Sequence, residues 1–379
     1  MSCNIDAKSL RIVFMGTPEF ASTSLRRLVA EGYNVVAVVT QPDKPAGRGL
    51  KVHESDVKCV ARELGLPILQ PEKLRDENFI AALKELNPDL GIVIAFRMLP
   101  EVVWALPRLG TFNLHASLLP NYRGAAPINW AIMNGETRTG VTTFLLNHEI
   151  DKGAIIGQTE VDILPDENIG SLYDRLMMCG AELVTATVER VASGDFTPID
   201  QMHYDESLLP AAPKIFKDDC HIDWSRTCRD IHNQVRGLSP YPAAWTAIMK
   251  EDNEVGTAKI FTTHIELAAH NVQPGTLRTD GRSYVAVAAN DGWVYIDEVQ
   301  LAGKRRMARH AQHRQHRHFF EKIFHFSPFY LRVFTLTSSN QTLPGAARRL
   351  SSDIFANAAL AGASLKKAVF RNFSSRTSG

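Results

Sequence analysis

RIVFMGTPEFASTSLRRLVAEGYNVVAVVTQ, from Arg11 to Gln41, is the stretch from which the fold class is read. RIVFMG is a short apolar run that ends in glycine, a strand followed by a turn. PEFASTSLRRLVAEG then carries proline near its start and glycine at its end, the punctuation of a helix. NVVAVVTQ is apolar at nearly every position, as a strand covered on both faces must be. Strand, helix and strand in succession form the unit of a parallel sheet.

The cycle repeats downstream. A helix is predicted near His53 to Leu64, then the short run LPILQ, a helix near Glu77 to Leu86, the strand DLGIVIAF and the strand TFNLHA. The resulting α/β domain is a mainly parallel sheet with helices on both faces, of the doubly wound class. Two further strand patterns, VTTFLLN and AIIGQTEVDI, precede a long helix from about Asn168 to Ala192, whose apolar residues Ile169, Leu172, Leu176, Leu183, Val184, Val188 and Val191 are close to helical spacing. That helix closes a first domain at residues 1–193. Residues 194–215, with SGDFTPID and SLLPAAPKI, have the composition of a connector. Over residues 216–307 a helical segment, TCRDIHNQVRGLSP, precedes several short strand runs, which predicts a smaller β-barrel or sandwich.

A chain of 379 residues with 45% hydrophobic and 22% charged side chains reads as two globular domains. No apolar run approaches the roughly 20 residues that span a bilayer. MSCNIDAKSLRIVF passes into a strand with no signal-like segment, so a cytoplasmic protein is expected. The five cysteines are scattered and odd in number, which fits a reducing compartment. Cys220, His221, Cys228 and His232 match no common zinc spacing, and no metal is expected.

The net charge of +1 conceals an asymmetry. Residues 308–379 hold eleven Lys and Arg against two acidic residues, leaving 31 basic and 39 acidic groups in the rest. The tail opens with ARHAQHRQHRHFF and contains nine of the 18 phenylalanines. Its abrupt onset and lack of periodicity mark it as unrelated to the preceding domains. RNA binding through arginine and stacked aromatics, and metal binding through His310, His313, His316 and His318, are the other readings it admits.

The chemistry concentrates in FNLHASLLPNYRGAAPINW, Phe112 to Trp130. Asn113 and His115 are two residues apart on a strand and therefore share a face. They lie at the carboxyl end of a strand, where open α/β sheets bind ligands, and LLPNYRGAAP forces irregular backbone there. Asp151 follows in the turn HEIDKGAII. Amide, imidazole and carboxylate together supply what acyl transfer without a covalent intermediate requires: donors to an oxyanion, and a group that keeps the imidazole charged. MGTPEF lacks the G-x-G-x-x-G pattern, so a classical NAD or FAD site is not expected.

These residues resemble the active-site signature of the folate-dependent formyltransferases, N-x-H…S-L-L-P…G…D-x-G. Within that superfamily VFMGTPEFA and TQPDKPAGRGLK are most similar to the branch that acts on methionyl initiator tRNA, and the similarity runs from about Leu10 to Met307. The resemblance implies a Rossmann-like catalytic domain, a linker and a C-terminal tRNA-binding domain with an OB-like barrel. It implies 10-formyltetrahydrofolate as formyl donor and the α-amino group of methionine on initiator tRNA as acceptor. By position in the motif, Asn113, His115 and Asp151 become the catalytic trio, and Ser117, Leu118, Leu119 and Pro120 become part of the tetrahydrofolate site. The loop Ile94 to Pro100 is expected to line the pterin pocket.

QPDKPAGRGLK, Gln41 to Lys51, reads either as an exposed connector or as an RNA-contacting loop carrying Lys44, Arg48 and Lys51, and the resemblance favours the second. Lys304, Arg305 and Arg306 form a further basic cluster. Because residues 1–307 are net acidic, tRNA binding is expected to use local basic patches instead of a global field. A monomer is expected. A formyltransferase acting on a small amine, such as glycinamide ribonucleotide, would use the same trio but is expected as a single domain. A hydrolase of formyltetrahydrofolate would carry an N-terminal regulatory domain, and a non-catalytic RNA-binding protein would not need the trio.

Overall fold

The computed structural model describes residues 5–46, 51–201, 204–250, 253–280, 283–308 and 331–333. The first domain is built on seven strands: β1 (Ile12–Gly16), β2 (Val35–Val39), β3 (Ile68–Leu69), β4 (Leu90–Ile94), β5 (Thr111–His115), β6 (Arg138–Leu145) and β7 (Ile155–Asp162). They lie side by side in the order β7-β6-β5-β4-β1-β2-β3. From β5 to β3 the pairs are parallel, and β6 and β7 add two antiparallel strands at one edge. The Rossmann-like reading of the sequence holds.

Register decides what faces the site. Asn113 pairs with Val93, Val93 with Met15 and Met15 with Val39, so these four side chains share one face of the sheet. Phe112 and Leu114 point the other way, into the larger core, against the long helix Ile169–Ser193. The absence of a side chain at Gly180 lets that helix approach closely, since a Cβ there would lie 2.8 Å from Leu114 Cδ2. β5 is thus clamped from behind and can present Asn113 and His115 in fixed positions.

Among the described residues the other helices are α1 (Glu19–Ala30), α2 (Asp56–Glu63), α3 (Glu77–Glu85), α4 (Glu101–Trp104), α5 (Pro127–Met133) and α7 (Cys228–Leu238), with Ile169–Ser193 as α6. Side-chain caps set several starts: Ser55 for α2, Asp76 for α3, Asn168 for α6 and Thr227 for α7. Gly194, in the left-handed region at φ 68°, ends α6 where the connector begins.

In the second domain α7 packs on an antiparallel sheet of β8 (Ala244–Lys250), β9 (Asn253–Leu267), β10 (Leu277–Thr279), β11 (Val285–Ala288) and β12 (Gly292–Leu301). The order is β10-β11-β12-β9-β8, and the backbone of Leu331–Val333 continues it by pairing with β8. The expected barrel thus corresponds to an antiparallel sheet whose pairings, among the described residues, form an open path. Trp224, fully buried, donates its indole N–H to Thr246 at 3.0 Å within this core. The domains meet where α5 lies against α7: Met133 joins the second core, and Asn129 donates to the Gly237 carbonyl at 2.8 Å.

Candidate active site

The carboxyl ends of β4 and β5 open onto irregular backbone. Ala95, Tyr122 and Asp151 all have positive φ, at 45°, 60° and 56°. A non-glycine residue in this region costs roughly 1 kcal/mol or more and persists only where neighbours hold it. All three lie in the loops that follow the site's strands.

His115 is buried at the end of β5, and its two ring nitrogens have different surroundings. Nε2 lies 2.9 Å from the Tyr122 carbonyl oxygen. A carbonyl can only accept, so Nε2 carries a proton and Nδ1 is the nitrogen left for chemistry. Nδ1 lies 4.0 Å from Oδ2 of Asp151. That gap is longer than a hydrogen bond, so Nδ1 stays available to a substrate atom. Asp151 Oδ2 accepts the Gly124 backbone N–H at 3.0 Å. Asn113 is half-buried, and among the described residues its carboxamide has no hydrogen-bond partner.

The loop that touches both His115 and Asp151 is itself anchored. Tyr122 is buried and donates its hydroxyl to Glu136 at 2.6 Å, and burial together with that carboxylate pushes its phenol well above the usual range. The Tyr122 backbone N–H donates to the Pro210 carbonyl, and Arg123–Gly124 pair in parallel with Ala211–Ala212. The connector is therefore hydrogen-bonded to the active-site loop.

Ser117 to Pro120 form a stapled turn. The Ser117 hydroxyl donates to the Asn121 carbonyl at 2.7 Å, and Thr142 donates to the Ser117 carbonyl at 2.6 Å. The Leu119 N–H donates to Thr142 Oγ1, and Gln158 donates to both Leu119 O and Thr142 Oγ1. Leu119 is buried, while Leu118 and Pro120 are half-buried. In the loop Ile94 to Pro100, Phe96 and Leu99 pack into the cluster that holds Val13, Met15, Val39 and Val93. Arg97 folds away to the carbonyls of Pro71 and Glu72, and burial lowers its guanidinium below its ordinary value.

The basic loop is only partly described. The backbones of Lys44–Ala46 and Lys51–His53 pair as an antiparallel hairpin, while Arg48 lies outside the described residues. The base of the hairpin is fixed by Asp43, which takes Lys58 and Gln70 as partners and is held below the usual carboxylate range by them. In the second basic cluster, Arg306 is engaged with Glu298 and lies over the Phe261 ring at 3.9 Å, leaving Lys304 and Arg305 exposed.

The side chains of the cysteine and histidine group from Cys220 to His232 are engaged separately. Cys220 and Cys228 are buried, with thiols pushed up to about 11 and about 12 by burial. His221 packs edge-on against Trp245, and His232 Nδ1 lies 3.0 Å from Thr263 Oγ1. Among the described residues no three or more His, Cys, Asp or Glu are arranged to hold a metal ion, and no helix is long and apolar enough to cross a membrane. The tail histidines lie outside the described residues.

Sequence reasoning brought Asn113, His115 and Asp151 to one place. It missed Tyr122, Thr142, Gln158 and Gln201, which hold that place together. Their partners are mostly backbone carbonyls, which leave no residue-type pattern.

Residues 10–188 match the formyl transferase family, and residues 214–317 match the formyl transferase C-terminal domain. A methionyl-tRNA formyltransferase of Parabacteroides distasonis is 55% identical over 303 residues, covering 79% of this chain and 94% of the relative. One from Flavobacterium johnsoniae is 49% identical over 300 residues, covering 79% and 94%. Among solved structures, an N-formyltransferase from Helicobacter canadensis, in complex with folinic acid and dTDP-3-aminofucose, is 18% identical. It covers 76% of this chain and 98% of that one at a TM-score of 0.54. HypX from Aquifex aeolicus in complex with tetrahydrofolic acid is 20% identical, covering 79% of this chain and 46% of that one at a TM-score of 0.52. At such identities the solved structures establish the shared fold.

Proposed function

The chain belongs to the formyl transferase family, and from that premise we propose that it transfers the formyl group of 10-formyltetrahydrofolate to the α-amino group of methionyl initiator tRNA. The observation that carries the reading is the placing of Asn113 and His115 on β5 at its carboxyl half, with His115 Nδ1 turned toward Asp151. Its close relatives, named for the tRNA substrate and matched over nearly their whole length, favour that acceptor over a small amine.

The neutral methionyl amine forms a bond to the formyl carbon, and the formyl oxygen takes the electron pair as an oxyanion. Asn113, whose amide is uncommitted, donates to that oxygen. His115 donates from Nδ1 as an imidazolium, because Nε2–H is engaged by Tyr122. The tetrahedral species then collapses: the bond from carbon to N10 breaks, N10 gains a proton, and the attacking nitrogen loses one. Asp151, facing Nδ1 of His115, orders the path of that proton. No serine or cysteine nucleophile takes part.

The donor site is formed by Ser117, Leu118, Leu119 and Pro120 with the loop Ile94 to Pro100. Since the Ser117 hydroxyl is engaged within the turn, the run contributes shape and backbone in place of a serine contact. Lys44, Arg48 and Lys51 contact the tRNA. Residues 1–193 are the catalytic domain, 194–215 the linker and 216–307 the tRNA-binding domain; 308–379 is an atypical basic and aromatic tail, although the C-terminal family match runs on to residue 317 and the backbone of Leu331–Val333 pairs with β8. The enzyme is a cytoplasmic monomer.

The test is a competition among acceptors. The purified chain with 10-formyltetrahydrofolate is offered methionyl initiator tRNA, free methionine and an amino-sugar nucleotide. Formyl transfer to the charged tRNA is the expected result, and faster transfer to either small amine would overturn the reading.

A further inference from the structure

We propose that Gln201, in the segment joining the two domains, is a positioning residue for Asp151; the inference rests on the catalytic role proposed for Asp151. Gln201 is only 2% exposed, unusual for a polar residue in a connector. Its carboxamide nitrogen donates to the Asp151 carbonyl at 3.2 Å and to the Gly153 carbonyl at 2.6 Å. Its carboxamide oxygen accepts from Arg123 Nη2 at 2.9 Å.

These bonds close a ring. Gln201 holds Arg123; the next residue, Gly124, donates its backbone N–H to Asp151 Oδ2; and the Asp151 carbonyl returns to Gln201. Asp151 is thereby fixed through its main chain and its side chain at once, in a left-handed conformation that its own preference would not hold. Two residues earlier, Ile199 exchanges both backbone hydrogen bonds with Ile155, at 2.8 and 2.9 Å, which sets the register that delivers Gln201 to the turn. The ring needs a side chain that both donates and accepts. Glutamine does this, whereas glutamate would present oxygen to two carbonyls.

A double-mutant cycle on the full chain separates positioning from general stability. Asp151→Ala alone, Gln201→Ala alone and the double variant are compared for kcat and KM with 10-formyltetrahydrofolate and methionyl initiator tRNA. Gln201→Ala is expected to lower kcat about 10- to 100-fold with both KM values little changed, because small misplacements of a catalytic group have effects of this size. In the Asp151→Ala background the same change is expected to cost nothing further. If Gln201→Ala fails to fold, Gln201→Glu, which keeps the volume and the acceptor for Arg123, takes its place in the cycle. Losses that multiply, or a loss confined to KM, would overturn the inference while leaving Asp151 in its role. Full activity of Asp151→Ala would overturn both.

Discussion

His115 and Asp151 face each other across 4.0 Å, and one short loop holds both from behind: the Tyr122 carbonyl takes His115 Nε2, and the Gly124 N–H takes Asp151 Oδ2. One loop therefore positions both members of the pair. The connector segment Pro210–Ala212 is hydrogen-bonded along that loop, which ties the second domain's attachment to the backbone behind the pair.

The turn that presents Asp151 depends on Gly153. A Cβ at that position would lie 1.6 Å from the Leu145 carbonyl oxygen, which is backbone and cannot yield without moving β6. Gly153→Ala is expected to reduce kcat about 100-fold or more by displacing Asp151. Steady-state kinetics beside a thermal melt check this: a variant with normal kcat shows that the turn tolerates the shift.

The basic hairpin predicts a salt effect. Replacing Lys44, Arg48 and Lys51 together by alanine is expected to raise KM for tRNA and flatten the dependence of log affinity on log salt by about two units. The kcat at saturating tRNA should stay unchanged, because none of the three belongs to the catalytic trio. An unaltered salt slope in filter binding contradicts the assignment.

Stability should fall on the acid side. Burial holds His221 and His232 below the ordinary imidazole value of 6.5, with Arg236 and Arg229 adding to the effect at His232 and Asp166 opposing it. Above that value both folded and unfolded chains hold these rings neutral, and full stability is present. As pH falls through it the unfolded chain takes up protons that the fold resists, so stability is lost, by at most ~1.4 kcal/mol per pH unit for each ring. His232→Gln, which can keep a bond to Thr263, is expected to lose less Tm than the parent between about pH 7.5 and about pH 5.5. Parallel Tm curves would show that His232 is not among the responsible groups.

The sheet, and the nearness of His115 to Asp151, were legible for definite reasons. The βαβ rhythm of Arg11 to Gln41 is a local pattern, and Asn113 and His115 share a strand, so period-two geometry alone places them together. Asp151 needed the motif's spacing, because β6 intervenes between it and His115. Gln201 was not legible: it reaches Asp151 and Arg123 across 50 and 78 residues, and two of its three bonds go to carbonyls. Helix α5 gave little signal either. It has seven residues and no side-chain cap, and it is held by packing on α7. The short runs after Ala244 identified strands but not how they close, since pairing order is fixed by contacts distant in sequence.

Asn113, two residues from His115 on β5, is the donor with no partner among the described residues. The decisive measurement is kcat for formyl transfer to methionyl initiator tRNA by the parent chain and by Asn113→Ala. The parent is predicted to form formylmethionyl-tRNA, and the variant to do so about 10²- to 10³-fold more slowly, the loss typical of one oxyanion donor. Equal turnover by the two proteins would contradict the mechanism.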